Sequence, residues 1–262
     1  MKKIAFISGW YSFNGHSGIH DDNKFILDCL YDSAKKYFFK DSNVDFIFIT
    51  NDKNIELENV KNIYIDHNVN GFWHMCLMKI LSLKYINDSY DYIFVHDTDQ
   101  IYVNPINEDF LDNDFYLLHH YFYASLKGVH NDVTDRVPLN FNSTDEYWTM
   151  GNFFGGKTEL MKQLTEFTEQ QHNFYVSDTY HPDHHFYSRY PEELFLLKFI
   201  FENNISHKRL HSTAHPESIE NDWFLGNFKE DEHIYQNIPK VKLVHNTKSN
   251  ITILKEIIKY HV

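Results

Sequence analysis

Cysteine is nearly absent from this chain of 262 residues: Cys29 and Cys76 are the only two, and they form no metal-binding spacing. A reducing compartment is the simplest setting for such usage. Basic residues are also in short supply, with 24 Lys and Arg against 37 Asp and Glu and a formal net charge of −13. That balance argues against a nucleic-acid backbone or an anionic membrane as principal partner. A small anionic ligand would need a metal or a local basic patch. No stretch approaches the roughly 18 consecutive apolar residues of a membrane span. The opening "MKKIAFISGWYSF" has a basic pair and a short apolar run, but no long h-region and no small-residue cleavage site. A soluble protein of the cytoplasm is expected. There is no internal repeat, no low-complexity linker and no clean domain boundary, so one domain over 1–262 is the reading.

What is plentiful is apolar and aromatic surface, 42% hydrophobic and 17% aromatic, ample for a sizeable core. "KIAFISGW" (3–10) reads as a buried strand ending near Gly9. Phe25/Ile26, Cys29/Leu30, Ser33/Ala34 and Tyr37/Phe38 then recur every four residues, the mark of an amphipathic helix. "VDFIFIT" (44–50) and "NIYID" (62–66) read as strands, 73–86 as a second helix, and "YDYIFVHD" (90–97) as a further strand. This alternation predicts an α/β fold with a mostly parallel sheet and crossover helices. The second half is less regular: a strand over 114–123, a polar loop over 124–146, and the aromatic, glycine-broken "YWTMGNFFGG" (147–156). A helix follows over 158–171, then a His-rich loop, a helix from Glu192 to about Glu202, and a last strand over 241–246 before a basic tail.

The chemistry concentrates in "FVHDTDQ". Asp97 and Asp99 follow a nearly continuous apolar run, where strands of such sheets deliver ligand-binding groups. Two carboxylates about 5 Å apart at an effective dielectric near 20 repel by roughly 3 kcal/mol, so either one is protonated or a cation lies between them. Hard oxygen ligands at a strand end suit a divalent cation shared with a diphosphate. Asp is also common in strand-to-loop turns. An aspartyl phosphatase is the rival, but its motif belongs on the first strand and no Gly-Asp-x-x-x-Asp partner is present. Glu192 and Glu193 follow Pro191 at a helix start, where acids ordinarily complement the helix dipole. His181, His184 and His185 in "HPDHH" lack a fourth ligand or a helical register for zinc, and a solvated loop is the plainer reading.

In this order, "DYIFVHDTDQ", "MGNFFGG" and "RYPEELFLLKF" resemble the retaining α1,3-galactosyl- and N-acetylgalactosaminyltransferases, the family of the histo-blood-group A and B transferases and their short bacterial relatives. "FISGWY" (6–11) and "YDSAKKYFFKDSNVDFIFIT" (31–50) are similar to the family's opening strand, helix and second strand. The resemblance implies a GT-A-type nucleotide-diphospho-sugar transferase fold. Residues 1–105 would form the nucleotide-sugar half, and 106–262 the acceptor-binding and catalytic half with its basic tail. It implies Mn²⁺ (or Mg²⁺) and a UDP-sugar donor, with galactose or N-acetylgalactosamine moved to a glycan or glycolipid hydroxyl, in an α1,3 linkage, for surface glycan synthesis. The enzyme would work in the cytoplasm or peripherally at the inner face of the membrane.

Carried over by motif, Asp97 and Asp99 would hold the metal, and Phe6, Ser8 and Tyr11 would cradle uracil and ribose. Lys79 would add a basic contact to the donor. Glu193 matches the catalytic glutamate and Glu192 the aspartate before it. His119 and Tyr190 would face the acceptor. Met150, Gly151 and Asn152 occupy the segment that discriminates galactose from N-acetylgalactosamine, and Asn152, larger than the usual Gly or Ala, leans toward galactose. In "VKLVHNTKSN", Lys248 would reach the diphosphate. By likeness to another retaining transferase family, His245 would be a third metal ligand. The departures are Tyr190-Pro191 for Trp-His, Glu192 for aspartate, and Arg136 alone where the family is arginine-rich. The reading from a different class is a catalytically inactive carbohydrate- or UDP-binding protein of the same fold.

Overall fold

The computed structural model describes residues 1–13, 21–87, 89–119, 149–176, 191–213, 224–226, 243–245 and 259. The first half runs β1 (Lys3–Trp10), α1 (Asp21–Tyr37), β2 (Asn43–Thr50), β3 (Lys61–Tyr64), α2 (Phe72–Leu81) with a 3₁₀ turn, and β4 (Tyr92–His96). It continues through β5 (Gln100–Tyr102), β6 (Phe115–His119), β7 (Thr149–Lys157), α3 (Thr158–Val176), α4 (Pro191–Glu202) and β8 (Lys208–Leu210). Three short strands follow: β9 (Ser212–Thr213), β10 (Phe224–Gly226) and β11 (Leu243–His245).

The seven-stranded main sheet has the order β3-β2-β1-β4-β7-β6-β8. It is mostly parallel, and β7 is the strand that runs against both its neighbours. From β1 the chain builds outward to β2 and β3, then returns to lay β4 on the other side of β1. The carboxyl ends of β1 and β4 therefore flank a topological switch point, where open α/β sheets leave a crevice for ligands.

Strand periodicity divides the core between the two faces. Ile4 and Phe6 of β1, with Tyr92 and Phe94 of β4, pack with Leu27, Leu30, Tyr31 and Ala34 of α1. Ala5, Ile7, Ile93 and Val95 point the other way, against α2, α3 and α4. Both faces of the central strands are covered, which is why they read as unbroken apolar runs. Among the described residues, α4 is a core helix, with every position from Pro191 to Ile200 buried. Its first turn is thereby driven into the sheet's interior.

The segment "MGNFFGG", expected to be broken by its glycines, is instead the middle of a nine-residue strand. Glycine is required there by close approach. A Cβ on Gly155 would lie 2.5 Å from the Ile93 carbonyl of β4. The small sheet, ordered β5-β11-β10-β9, contains at β11 the last strand expected over 241–246, while β5, β9 and β10 are too short for hydrophobic periodicity to reveal. Residues 120–148 and 177–190, including the remainder of the expected strand to 123 and the His-rich loop, lie outside the described residues.

Candidate active site

Four elements meet at the β4 end of the switch point. Asp97 is the first residue beyond β4, and its backbone N–H donates to the Asn152 carbonyl of β7 at 2.9 Å. The Gln100 amide donates to that same carbonyl at 2.8 Å, so the turn carrying Asp97 and Asp99 is pinned on both sides to β7. From the last turn of α2, the Lys79 ammonium reaches Asp97 Oδ1 at 2.5 Å and Glu192 Oε1 at 3.2 Å. It also lies 3.5 Å from the Gly151 carbonyl. Glu193 Oε1 accepts the Gly151 N–H at 3.2 Å. Gly151 is thus clasped between the two adjacent glutamates of α4. A Cβ there would stand 2.5 Å from Glu192 Cγ, so the close contact exists only because this residue has no side chain.

The burial of these charges decides their chemistry. Glu192 is 1% exposed and Glu193 6%, whereas the side chains of Lys79 and Asp97 keep 16% and 20% of their surface. Burial works against the Lys79 ammonium, but Asp97 and Glu192 outweigh it and hold its pKa well above the ordinary value. Burial raises the Glu192 pKa; Lys79 opposes that and nearby Asp97 adds to it, and the net shift is upward. Glu192 Oε2 has no hydrogen-bond partner among the described residues. An orphaned, buried carboxylate oxygen facing a cluster of charges is unusual in a settled core.

The structure brings together Lys79, Asp97, Gly151, Asn152, Glu192 and Glu193, which are scattered over the sequence. It places other expected contacts differently. Phe6 is fully buried, stacked on His96 with ring centroids 3.9 Å apart, and has no surface to offer a base. Tyr11 turns inward over Gly9, donates its hydroxyl to Ser82 Oγ at 2.8 Å, and is likewise a core residue. Met150 packs on the α1 side of the sheet. All three side chains are buried in the apolar layers, Phe6 and Met150 on one face of the sheet and Tyr11, just beyond β1, on the other. Ser8 is fully buried, yet its hydroxyl is unpartnered among the described residues.

Four further candidates are fixed by backbone alone or not at all. His119 pairs with Thr149, two residues before Gly151. His245 on β11 pairs with Gln100, the residue after Asp99. Tyr190 and Lys248 lie outside the described residues. Sequence reasoning missed Gln100 and His96 as parts of this assembly. Gln100 is fully buried, and His96 accepts or donates through Nδ1 to the Tyr102 hydroxyl at 3.2 Å. A Gln directly after two aspartates gave no signal beyond its position.

The aspartates suit a hard divalent cation by the chemistry of their oxygens. Asp97 presents its Oδ1 to Lys79. No group of three His, Cys, Asp or Glu side chains is preassembled for a metal among the described residues. A cation held by two aspartates would draw its remaining ligands from elsewhere. No helix among the described residues is long and apolar enough to cross a membrane. Fold and site together define an α/β protein with a buried acid–lysine cluster at its switch point. Neither a protein-family model nor a curated protein sequence matches the chain.

Proposed function

We propose that this chain is a metal-dependent retaining glycosyltransferase of GT-A fold. It would move galactose, or N-acetylgalactosamine, from a UDP-sugar to a glycan hydroxyl in an α1,3 linkage. The observation that carries the reading is the convergence of three separate motifs on one spot. Asp97 meets Glu192 through Lys79, and Gly151 lies against both Glu192 and Glu193. These are the three segments on which the resemblance to the blood-group transferases rests. The parallel β3-β2-β1-β4 portion, joined through antiparallel β7 to the rest, supports a nucleotide-binding half merging into an acceptor half.

The residues fit the roles physically. Asp97 and Asp99, at the strand exit, would hold a divalent cation, which when bound would offset the charge of a diphosphate. Lys79 would supply a further positive charge to the departing UDP. Glu193 is anchored by the Gly151 N–H in a nearly water-free position. A carboxylate there favours positive charge that develops on an anomeric carbon only in the transition state. Glu192, held by Lys79, fixes the geometry of the segment against which the donor sugar would lie.

The test is UDP release from UDP-galactose, UDP-N-acetylgalactosamine and UDP-glucose, with Mn²⁺ and with EDTA. Release from one donor, lost with EDTA and in Asp97→Asn, is expected. Glu193→Gln should reduce it by at least a hundredfold while leaving UDP binding intact. Binding of UDP without any turnover would favour the inactive binding protein. Absence of UDP binding in the presence of Mn²⁺ would sink the transferase reading.

A further inference from the structure

Lys79 bridges two carboxylates that belong to different tasks. Asp97 is the first member of the proposed metal pair, while Glu192 stands in the first turn of α4 beside the proposed catalytic glutamate. The ammonium is held on one oxygen of each. A mostly buried lysine retained between two acids is costly unless both remain its partners. A divalent cation arriving alone on Asp97 would meet a positive charge already seated on that carboxylate. It would have to share the group or drive Lys79 back onto Glu192 alone. A cation arriving with a diphosphate brings anionic oxygens to which the ammonium can turn.

We propose that Lys79 is the resident counter-cation of Asp97, and that it makes this site disfavour bare divalent metal and accept metal together with a nucleoside diphosphate. The inference rests on the metal–diphosphate reading of the site and adds to it a selection rule set by one lysine. The coupling is reciprocal: if UDP raises Mn²⁺ affinity by some factor, Mn²⁺ raises UDP affinity by the same factor.

The experiment titrates Mn²⁺ into the full chain, with and without saturating UDP, reading bound metal by calorimetry and free Mn²⁺ by its paramagnetic resonance signal. In the unaltered protein, UDP should strengthen Mn²⁺ binding by at least tenfold. In Lys79→Met, bare Mn²⁺ should bind at least tenfold more tightly than in the unaltered protein, and the enhancement by UDP should shrink. Because Lys79→Met leaves two unpaired acids, the double variant Lys79→Met/Glu192→Gln is measured beside it. That pair keeps the formal charge of the site unchanged, so a general field effect predicts no gain, whereas release of Asp97 predicts the same tenfold gain. If the protein binds Mn²⁺ with UDP but neither variant gains affinity for bare Mn²⁺, the inference is overturned and the transferase reading stands. If no Mn²⁺ binds with or without UDP, both fall.

Discussion

Replacing Lys79 by Met removes the counter-charge of two acids without removing much volume. At an effective dielectric near 20, the contacts of 2.5 Å to Asp97 and 3.2 Å to Glu192 correspond to gross attractions of roughly 7 and 5 kcal/mol. Most of that is offset by the cost of taking three charges out of water. What the substitution exposes is that cost without its compensation, about 3–5 kcal/mol for breaking a buried pair from one side. Urea denaturation should show a midpoint lowered by roughly 1–2 M at pH 7, for an m-value of about 3 kcal/mol/M.

The pH dependence sharpens the test. Glu192 already has a raised pKa, burial being the main cause, and loss of Lys79 can only raise it further. A carboxyl whose folded pKa lies above its unfolded value binds more protons when folded. Its stabilising contribution is present below the unfolded value and is lost as pH rises through the folded pKa. The deficit of Lys79→Met should therefore be small near pH 4.5 and full at pH 7–8, and Glu192→Gln in the same chain should recover much of it. A midpoint shift worth less than about 1 kcal/mol at pH 7, or one that does not narrow on acidification, would refute a buried charge network at this position.

Gly151→Ala would push a methyl group into Glu192 Cγ, the contact being 2.5 Å, and should cost about 1–3 kcal/mol by overpacking. On the proposed transferase function, it should also weaken UDP-sugar turnover more than UDP binding, read by comparing kcat with calorimetric affinity. His74 is held neutral, its pKa lowered to about 4 by burial and by neighbouring His172 and His67. Since the unfolded imidazole takes up protons first, stability should fall by about 3 kcal/mol between pH 6.5 and 4, and His74→Phe should flatten that limb of the denaturation profile. Cys29 and Cys76 are buried free thiols, the first with a pKa raised to about 12 by burial and nearby acids. Both should resist a disulfide reagent at pH 8 until urea unfolds the chain.

Much of the parallel half could be read from the sequence, because β1, β2 and β4 are apolar on both faces and α1 shows its buried stripe at a four-residue interval. The strand β7 could not. Its glycines look like breakers in sequence, and only the flanking backbone of β4 and β6 turns them into a requirement. At the site, motif position located Asp97, Glu192 and Glu193. Side-chain direction was legible too, since period-two alternation already places Phe6 with Ile4 on one face. The Lys79 bridge was beyond reach, because it depends on the last turn of α2 meeting the first turn of α4.

The small sheet bears on how the molecule is made. β5, which carries the chain away from Asp99, finds its partner in β11, with Gln100 opposite His245 and Tyr102 opposite Leu243. During synthesis the two aspartates emerge long before that partner does. The main sheet from β3 to β4 can form from sequence-local pieces, whereas β5 must wait for a distant closure, the slowest class of contact in folding. The end of the fold that carries Asp97 and Asp99 is thus completed last, and on a different clock from the sheet that supports it.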